Sequence, residues 1–343
     1  MKKVNLAIVG VTGAVGQEFL KLIEERNFPF TNLKMLASSR SAGKKINFMG
    51  KEYTVEETTE NSFEGVDIAL FAGGSASKIF APAAVKAGAV VIDNSSAFRM
   101  DKDVPLVVPE VNSQVIARHK GIIANPNCST IIMVMALKPL YDISKIKRIV
   151  VSTYQAVSGA GREGMEELKT QLDNLANGKN IQPKILPVAK LDKHYQIASN
   201  LLPQIDIFMD NLYTKEEMKM IDETRKIMED DDMKITATTV RVPVYRSHAE
   251  SVNVEFFDDV PVESARNALE KFSGVILRDN PEEMIYPQPL ETSGKDDVEV
   301  GRIRKDLSVE HGLNFWVCGD QIRKGAALNA LQIAEYMINN GMV

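Results

Sequence analysis

Short apolar runs, each closed by glycine or small polar residues, set the rhythm of the first third of the chain. Val4 to Val9, Leu33 to Ala37, Val66 to Phe71 and Val90 to Asp93 lack the strict apolar/polar alternation of a half-exposed strand. This pattern predicts strands buried on both faces, as in a parallel sheet. Between them the apolar spacing becomes helical, from about Ala14 to Arg26 and from Ser75 through Ala87. Strand and helix in alternation imply an α/β, Rossmann-type doubly wound parallel sheet.

Past the middle of the chain the pattern changes. A strand ends near Asn125, Pro126 and Asn127 turn the chain, and Cys128 opens a helix with the apolar run Ile131 to Leu137. Strand-like segments follow at Lys147 to Gln155, Ile235 to Val242, Ser251 to Phe257, Val298 to Ile303 and Leu313 to Val317, with helices at Gly164 to Leu175 and Lys215 to Met228. With few crossover helices, these predict a largely antiparallel sheet in an α+β domain. The irregular stretch up to Pro203, with prolines at 183, 187 and 203, is long enough to expect burial at a subunit contact. A final helix, Ala326 to Asn339, has the apolar spacing of one packed back on the first domain. The expected division is a nucleotide-binding domain over 1–127, completed by the C-terminal helix within 325–343, and a catalytic and dimerisation domain over 128–324.

Composition narrows the class. The 343 residues are 44% hydrophobic and 25% charged with a net charge of -5, an ordinary globular balance without the basic face that nucleic acid needs. Two cysteines do not make a secreted disulfide framework, so a reducing cytoplasm is expected. Four scattered histidines give no metal-ligand spacing. No apolar stretch is long enough to span a bilayer, and the run after Met1-Lys2-Lys3 is broken by Asn5 and three spaced glycines, unlike a signal peptide.

Three stretches carry chemistry. Gly10-x-x-Gly13-x-x-Gly16 between the first strand and helix lets a pyrophosphate approach backbone N–H groups, with Thr12, Ala14 and Val15 in the same turn. At the end of the second strand, where a carboxylate would hold the ribose of NAD, stand Ser39, Arg40 and Ser41. Hydroxyls and a guanidinium suit a 2′-phosphate, so NADP is expected. Cys128 at a helix N-terminus is a candidate nucleophile, because unpaired N–H groups and the helix dipole favour its thiolate. Arg241 and His248 bracket a bend between two strands, and Glu216 and Lys219 share a helix face.

The glycine turn, Ser39-Arg40-Ser41, Asn127-Cys128-Ser129-Thr130, Gln155 before Ser158-Gly159, Glu216 with Lys219, Arg241 seven before His248, and Arg323-Lys324-Gly325-Ala326-Ala327 occur in this order. Together they resemble the aspartate-semialdehyde dehydrogenases over nearly the whole length. The resemblance implies reversible, NADP-dependent conversion of L-aspartate 4-semialdehyde and phosphate to 4-phospho-L-aspartate, in biosynthesis of lysine, threonine, methionine and isoleucine, by a homodimer or homotetramer. It implies acylation of Cys128, proton movement by His248, whose ordinary pKa suits the task, and positioning by Gln155. Arg241 and Glu216, or its neighbour Glu217, would hold substrate, and Arg99, Lys219 and Asn127 phosphate. Gly10, Thr12, Gly13, Ala14, Val15, Ser39, Arg40, Ser41, Ser158, Gly159 and Gln321 would line the cofactor site. N-acetyl-glutamyl-phosphate reductase uses the same logic on a longer substrate, as, with a poorer fit of motif order, do glyceraldehyde-phosphate enzymes; a carboxylate for a free amino group favours the aspartyl compound. A non-catalytic NADP-binding regulator would leave Cys128 no more reactive than Cys318.

Arg40→Asp should lower the NADP/NAD ratio of kcat/KM by at least about tenfold, since a charge-assisted hydrogen bond contributes roughly 1.5–3 kcal/mol. Steady-state kinetics with both nucleotides measures it, and an unchanged ratio removes Arg40 from the cofactor site.

Overall fold

The structure, a computed structural model, describes residues 2–343. The chain divides into two compact units, one holding the described residues up to Asn127 together with Gly325–Val343, the other Cys128–Lys324.

The first unit begins with β1 (Val4–Val9), α1 (Ala14–Glu25) and β2 (Phe30–Ala37), then a small hairpin of β3 (Lys45–Phe48) and β4 (Lys51–Thr54) that hydrophobic patterning did not reveal. There follow β5 (Glu56–Glu57), β6 (Ile68–Phe71), α2 (Ala76–Lys86), β7 (Val90–Asp93), the single turn α3 (Pro109–Asn112) and β8 (Ile122–Ala124). The sheet order β5-β2-β1-β6-β7-β8 is parallel throughout, the doubly wound arrangement that the buried runs predicted. Every strand therefore ends on the same edge, which gathers the polar residues after β1, β2, β6, β7 and β8 along one crevice.

In the second unit α4 (Cys128–Tyr141) is apolar all round, and Ser129 through Leu137 are buried, as a helix inside a core must be. Next come β9 (Ile146–Gln155), α5 (Gly161–Ala176), α6 (Lys215–Met228), β10 (Lys234–Arg241), β11 (His248–Phe256), α7 (Val262–Lys271), β12 (Val275–Leu277), α8 (Pro289–Thr292), β13 (Val298–Lys305) and β14 (Gly312–Gly319). Their sheet, in the order β10-β9-β11-β14-β13-β12, is mixed, with antiparallel pairings in the majority as expected. Its three central pairings are antiparallel, but the outer pairs β10·β9 and β13·β12 are parallel. Parallel pairing requires a long crossover. For β9 and β10 it is supplied by α5, the irregular stretch and α6. That stretch buries Leu186, Ile197, Ala198 and Leu202 against Val157 and Leu168 of its own unit, so part of it is core.

The chain then returns to the first unit. The expected helix from Ala326 begins instead with a π-helical turn, Arg323–Ala327, before α9 (Leu328–Asn339). Leu328, Leu331, Ala334 and Met337 join β1 and α1 side chains in one apolar cluster, and Arg26 makes a two-pronged ion pair with Glu335. Among the described residues no helix is long and apolar enough to cross a membrane.

One buried group opposes folding. Glu250 on β11 is fully buried, and neither carboxylate oxygen has a hydrogen-bond partner, so burial pushes its pKa well above the usual carboxylate range. Above the unfolded-state pKa, folding must therefore take up a proton. Stability is highest in acid on this account and falls as pH rises, by up to about 1.4 kcal/mol per pH unit until the folded-state pKa is reached. Glu250→Met should be more stable than the parent, by a margin that widens from about pH 5 to about pH 8. Urea denaturation across that range measures it, and a margin independent of pH would show Glu250 to be ionised in the native fold.

Candidate active site

In the first unit the glycine turn is shaped by contact distances. Gly10 has φ +83° and its carbonyl accepts the N–H of Gly13 at 3.0 Å. A Cβ on Gly16 would lie 2.2 Å from the Gly10 carbonyl oxygen and 2.6 Å from Val11 Cα, so only glycine lets α1 start so close to the turn. Gly13 caps α1 without a side-chain bond, leaving the first-turn N–H groups, including those of Ala14 and Val15, suited to an anion. Thr12 Oγ1 reaches Ser41 Oγ at 3.4 Å, which brings the glycine turn beside the 3-10 turn Ser39–Ser41 that carries Arg40. Lys44, which sequence reading missed, lies 3.5 Å from Ser41 Oγ and adds a second cation there. These features fit a phosphorylated dinucleotide.

Arg99 and Asn127 also belong to this unit and lie at the same sheet edge. Arg99 is buried, its Nε donating to the Asn125 carbonyl at 2.9 Å and one Nη to the Asn94 carbonyl at 2.8 Å, just past the ends of β8 and β7. Asn127, also buried, directly precedes Cys128.

In the second unit Cys128, half-buried, is the first residue of the 14-residue helix α4. The other cysteine differs. Cys318 is fully buried on β14 and burial, with the Glu299 and Glu250 carboxyls nearby, pushes its thiol pKa far up.

Register aligns the remaining groups. Arg241 at the end of β10 pairs with Gln155 at the end of β9, and neighbouring β11 begins at His248. Arg241 donates to the Ala156 carbonyl at 2.7 Å, while its Nε is buried with no hydrogen-bond partner. Burial lowers its pKa, and the charges of Glu216 and Cys128 oppose that shift, which places both within electrostatic reach of Arg241. Gln155 accepts from Thr153 Oγ1 at 3.0 Å and donates to Glu216 Oε1 at 3.2 Å. Lys219 Nζ holds the other oxygen of Glu216 at 3.0 Å. Glu217 is used differently: it forms a capping box with Thr214 and accepts the Thr239 N–H at 2.9 Å. Of the adjacent pair, Glu216 faces the cluster and Glu217 holds the helix start.

His248 is fully buried, and its backbone is turned in by Ser247, a non-glycine residue at φ +75°. Gln321 fixes that turn, accepting the Ser247 N–H at 2.7 Å while its amide donates to Ser158 Oγ. The Ala156 N–H donates to His248 Nδ1 at 3.0 Å, so the neutral ring carries its proton on Nε2. Nε2 lies 3.4 Å from Gln155 Nε2. Gly159 provides the clearance: a Cβ there would meet an Arg241 Nη at 2.7 Å and His248 Nε2 at 3.5 Å. Ser247 and Ala156 carry no sequence signal, the first because it is a backbone strain, the second because its N–H is common to almost every residue.

The ordinary histidine pKa expected from sequence is corrected here. Burial first, then the Arg241 charge, pushes His248 down to about 3, with Glu216 and the Ser247 backbone opposing in part. The imidazole is neutral at neutral pH in the ligand-free chain.

Comparison with known proteins adds to this geometry. Residues 5–119 match the family described as semialdehyde dehydrogenase, NAD binding domain, and residues 137–324 the semialdehyde dehydrogenase, dimerisation domain. A parallel dinucleotide-type sheet, a cysteine opening the next helix and a mixed sheet carrying glutamine, arginine and histidine thus define a semialdehyde dehydrogenase, an oxidoreductase class. Aspartate-semialdehyde dehydrogenase of Bacillus subtilis is 55% identical over 333 residues, covering 96% of each chain. The crystal structure of aspartate semialdehyde dehydrogenase II from Vibrio cholerae complexed with ASA superposes with a TM-score of 0.93 at 48% identity, over 99% of each chain. The Candida albicans enzyme with NADP gives 0.75 at 26% identity over the full length of both. The chain belongs to the aspartate-semialdehyde dehydrogenase family.

The His248 ring should stay in the neutral, Nε2-protonated form from about pH 5 to about pH 8 in the ligand-free protein. Ring nitrogen shifts in 15N NMR report it, and an imidazolium forming near pH 6.5 would contradict it. Because the unfolded chain takes up a proton that the folded ring refuses, His248 also makes stability fall as pH drops below about 6.5.

Proposed function

We propose that the chain catalyses the reversible, NADP-linked interconversion of L-aspartate 4-semialdehyde plus phosphate and 4-phospho-L-aspartate through a thioester on Cys128. The observation that carries this reading is the buried Arg241 guanidinium, with an unpartnered Nε, within charge reach of Cys128 and of Glu216. A guanidinium recognises a carboxylate in two-pronged fashion, and a carboxylate beside it recognises an ammonium. The pair therefore reads the two ends of a free amino acid. An N-acetylated substrate would bring no ammonium to take the place of Lys219 on Glu216, so this carboxylate would recognise nothing on it, which disfavours the glutamyl-phosphate alternative.

The chemistry divides among the side chains as follows. The Cys128 thiolate attacks the acyl phosphate, forms the C–S bond and expels phosphate, which Arg99, Lys219 and Asn127 hold with a fork, a point charge and an amide. Gly10, Thr12, Gly13, Ala14, Val15, Ser39, Arg40 and Ser41, with help from Ser158, Gly159 and Gln321, would hold NADP, which when bound would provide the hydride chemistry. The carbonyl oxygen of the thioester becomes an oxyanion in the thiohemiacetal, and His248 stabilises it with its Nε2–H. Collapse of that oxyanion breaks the C–S bond and returns the thiolate. The proton count balances without transfer, as suits a neutral imidazole whose Nδ1 is occupied by the Ala156 N–H. Gln155 positions Glu216, and the Ala156 N–H orients the ring.

We also infer a homodimer or homotetramer working in the cytoplasm on the biosynthetic route from aspartate to lysine, threonine, methionine and isoleucine. Leu172 and Leu175 of α5 and Leu201, Phe208 and Leu212 of the irregular stretch are exposed apolar residues in the region matched by the dimerisation domain.

Cys128→Ser should lose activity by about 10³-fold or more while NADP affinity stays within about twofold of the parent. Mass spectrometry of protein quenched during turnover should find the aspartyl adduct on Cys128, and sustained turnover without it would reject the thioester route.

A further inference from the structure

Lys219 stands between two carboxylates. Its Nζ lies 3.0 Å from Glu216 Oε2 and 3.2 Å from Asp206 Oδ2. Asp206 comes from the irregular stretch before α6, yet its backbone is tightly tied. Leu202 exchanges both backbone hydrogen bonds with Arg241, at 2.8 and 3.0 Å, and the Ile207 carbonyl accepts the Lys215 N–H at 2.8 Å. Between these ties Asp206 adopts φ +67°, a conformation that aspartate tolerates better than most residues. Its Oδ1 accepts the Ile207 N–H at 2.9 Å, which turns Oδ2 to Lys219. The same ties attach this carboxylate to the strand end that carries Arg241 and to the helix that carries Glu216.

We propose that Asp206 is the positioning residue for Lys219, the group that receives the ammonium when substrate takes Glu216. This deepens the proposed function and rests on its reading of Glu216 as the ammonium site and Lys219 as a phosphate-binding group. Two cations compete for one carboxylate once the substrate amino group arrives, and like-charge repulsion drives Lys219 off Glu216. A flexible four-carbon stem would then let Nζ wander into solvent, and the point charge needed for phosphate would be lost. Asp206, fixed by its backbone, holds the displaced ammonium instead. Substrate and phosphate binding are thereby coupled through one lysine.

Asp206→Asn tests this, because asparagine also tolerates the left-handed backbone and keeps the Oδ1 bond to Ile207, but replaces Oδ2 by an amide that cannot accept from an ammonium. The apparent KM for phosphate should rise roughly fivefold, the upper range for a partly exposed ion pair, and KM for the semialdehyde should rise with it as Lys219 stays on Glu216. At saturating substrate and phosphate, kcat should stay within about twofold. Thermal midpoint and oligomeric state by light scattering should match the parent. A merely structural role would move the midpoint and leave the KM values alone. A lower phosphate KM would show that Asp206 acts only by repelling the anion. Either outcome overturns the proposal. Lys219→Met separates the two levels: if it raises the phosphate KM and Asp206→Asn does not, the positioning role fails and the phosphate reading stands. If Lys219→Met leaves the phosphate KM unchanged, the reading of Lys219 itself fails.

Discussion

A guanidinium removed from water must be surrounded by groups that accept its hydrogen bonds and balance its charge, and Arg241 imposes that requirement on the second unit. The Ala156 carbonyl takes one of its N–H groups, Glu216 supplies the opposing charge, and Gly159 leaves room by having no side chain. Each of these then constrains another residue. The N–H of Ala156 fixes the His248 tautomer, and Glu216 fixes Gln155 and Lys219. Removing the charge at 241 would therefore loosen the histidine, the glutamine and the lysine together, because they form one network rather than separate contacts.

The same charge explains why a fully buried histidine remains neutral. Desolvation alone disfavours imidazolium, and a neighbouring cation disfavours it further. An uncharged ring with its proton on Nε2 is a fixed donor in a buried site, where a hydrogen bond to a developing oxyanion is worth more than in water. The sheet holds that donor in place from both sides: β11 pairs with β9 and with β14, so His248 sits at the start of an interior strand rather than on a loose edge.

The mixed sheet also shows how a site can be assembled from distant parts of a chain. The parallel pairing of β9 with β10 puts Gln155 opposite Arg241 across more than eighty residues, and the crossover between them delivers both α6 and Asp206. The irregular stretch is thus partly core and partly site. Its prolines and its lack of periodicity hide that role, because its order comes from backbone ties to Arg241 and Lys215 and from apolar side chains packed on Leu168.

Periodicity and turn chemistry determined much by themselves. The buried runs specified the parallel sheet, since a strand covered on both faces must be apolar throughout, and the spaced glycines marked the one turn where a Cβ would strike the Gly10 carbonyl. The proline turn placed Cys128 at a helix start, because local backbone preference alone suffices there. Other facts were outside local reach. Glu216 and Glu217 are identical in type, and only the capping box with Thr214 assigns one to the helix end and the other to the cluster. The left-handed backbone at Ser247, the neutral state of His248 and the second carboxylate on Lys219 each depend on neighbours far away in sequence. Desolvation, register and charge proximity arise only when the folded chain brings those neighbours together.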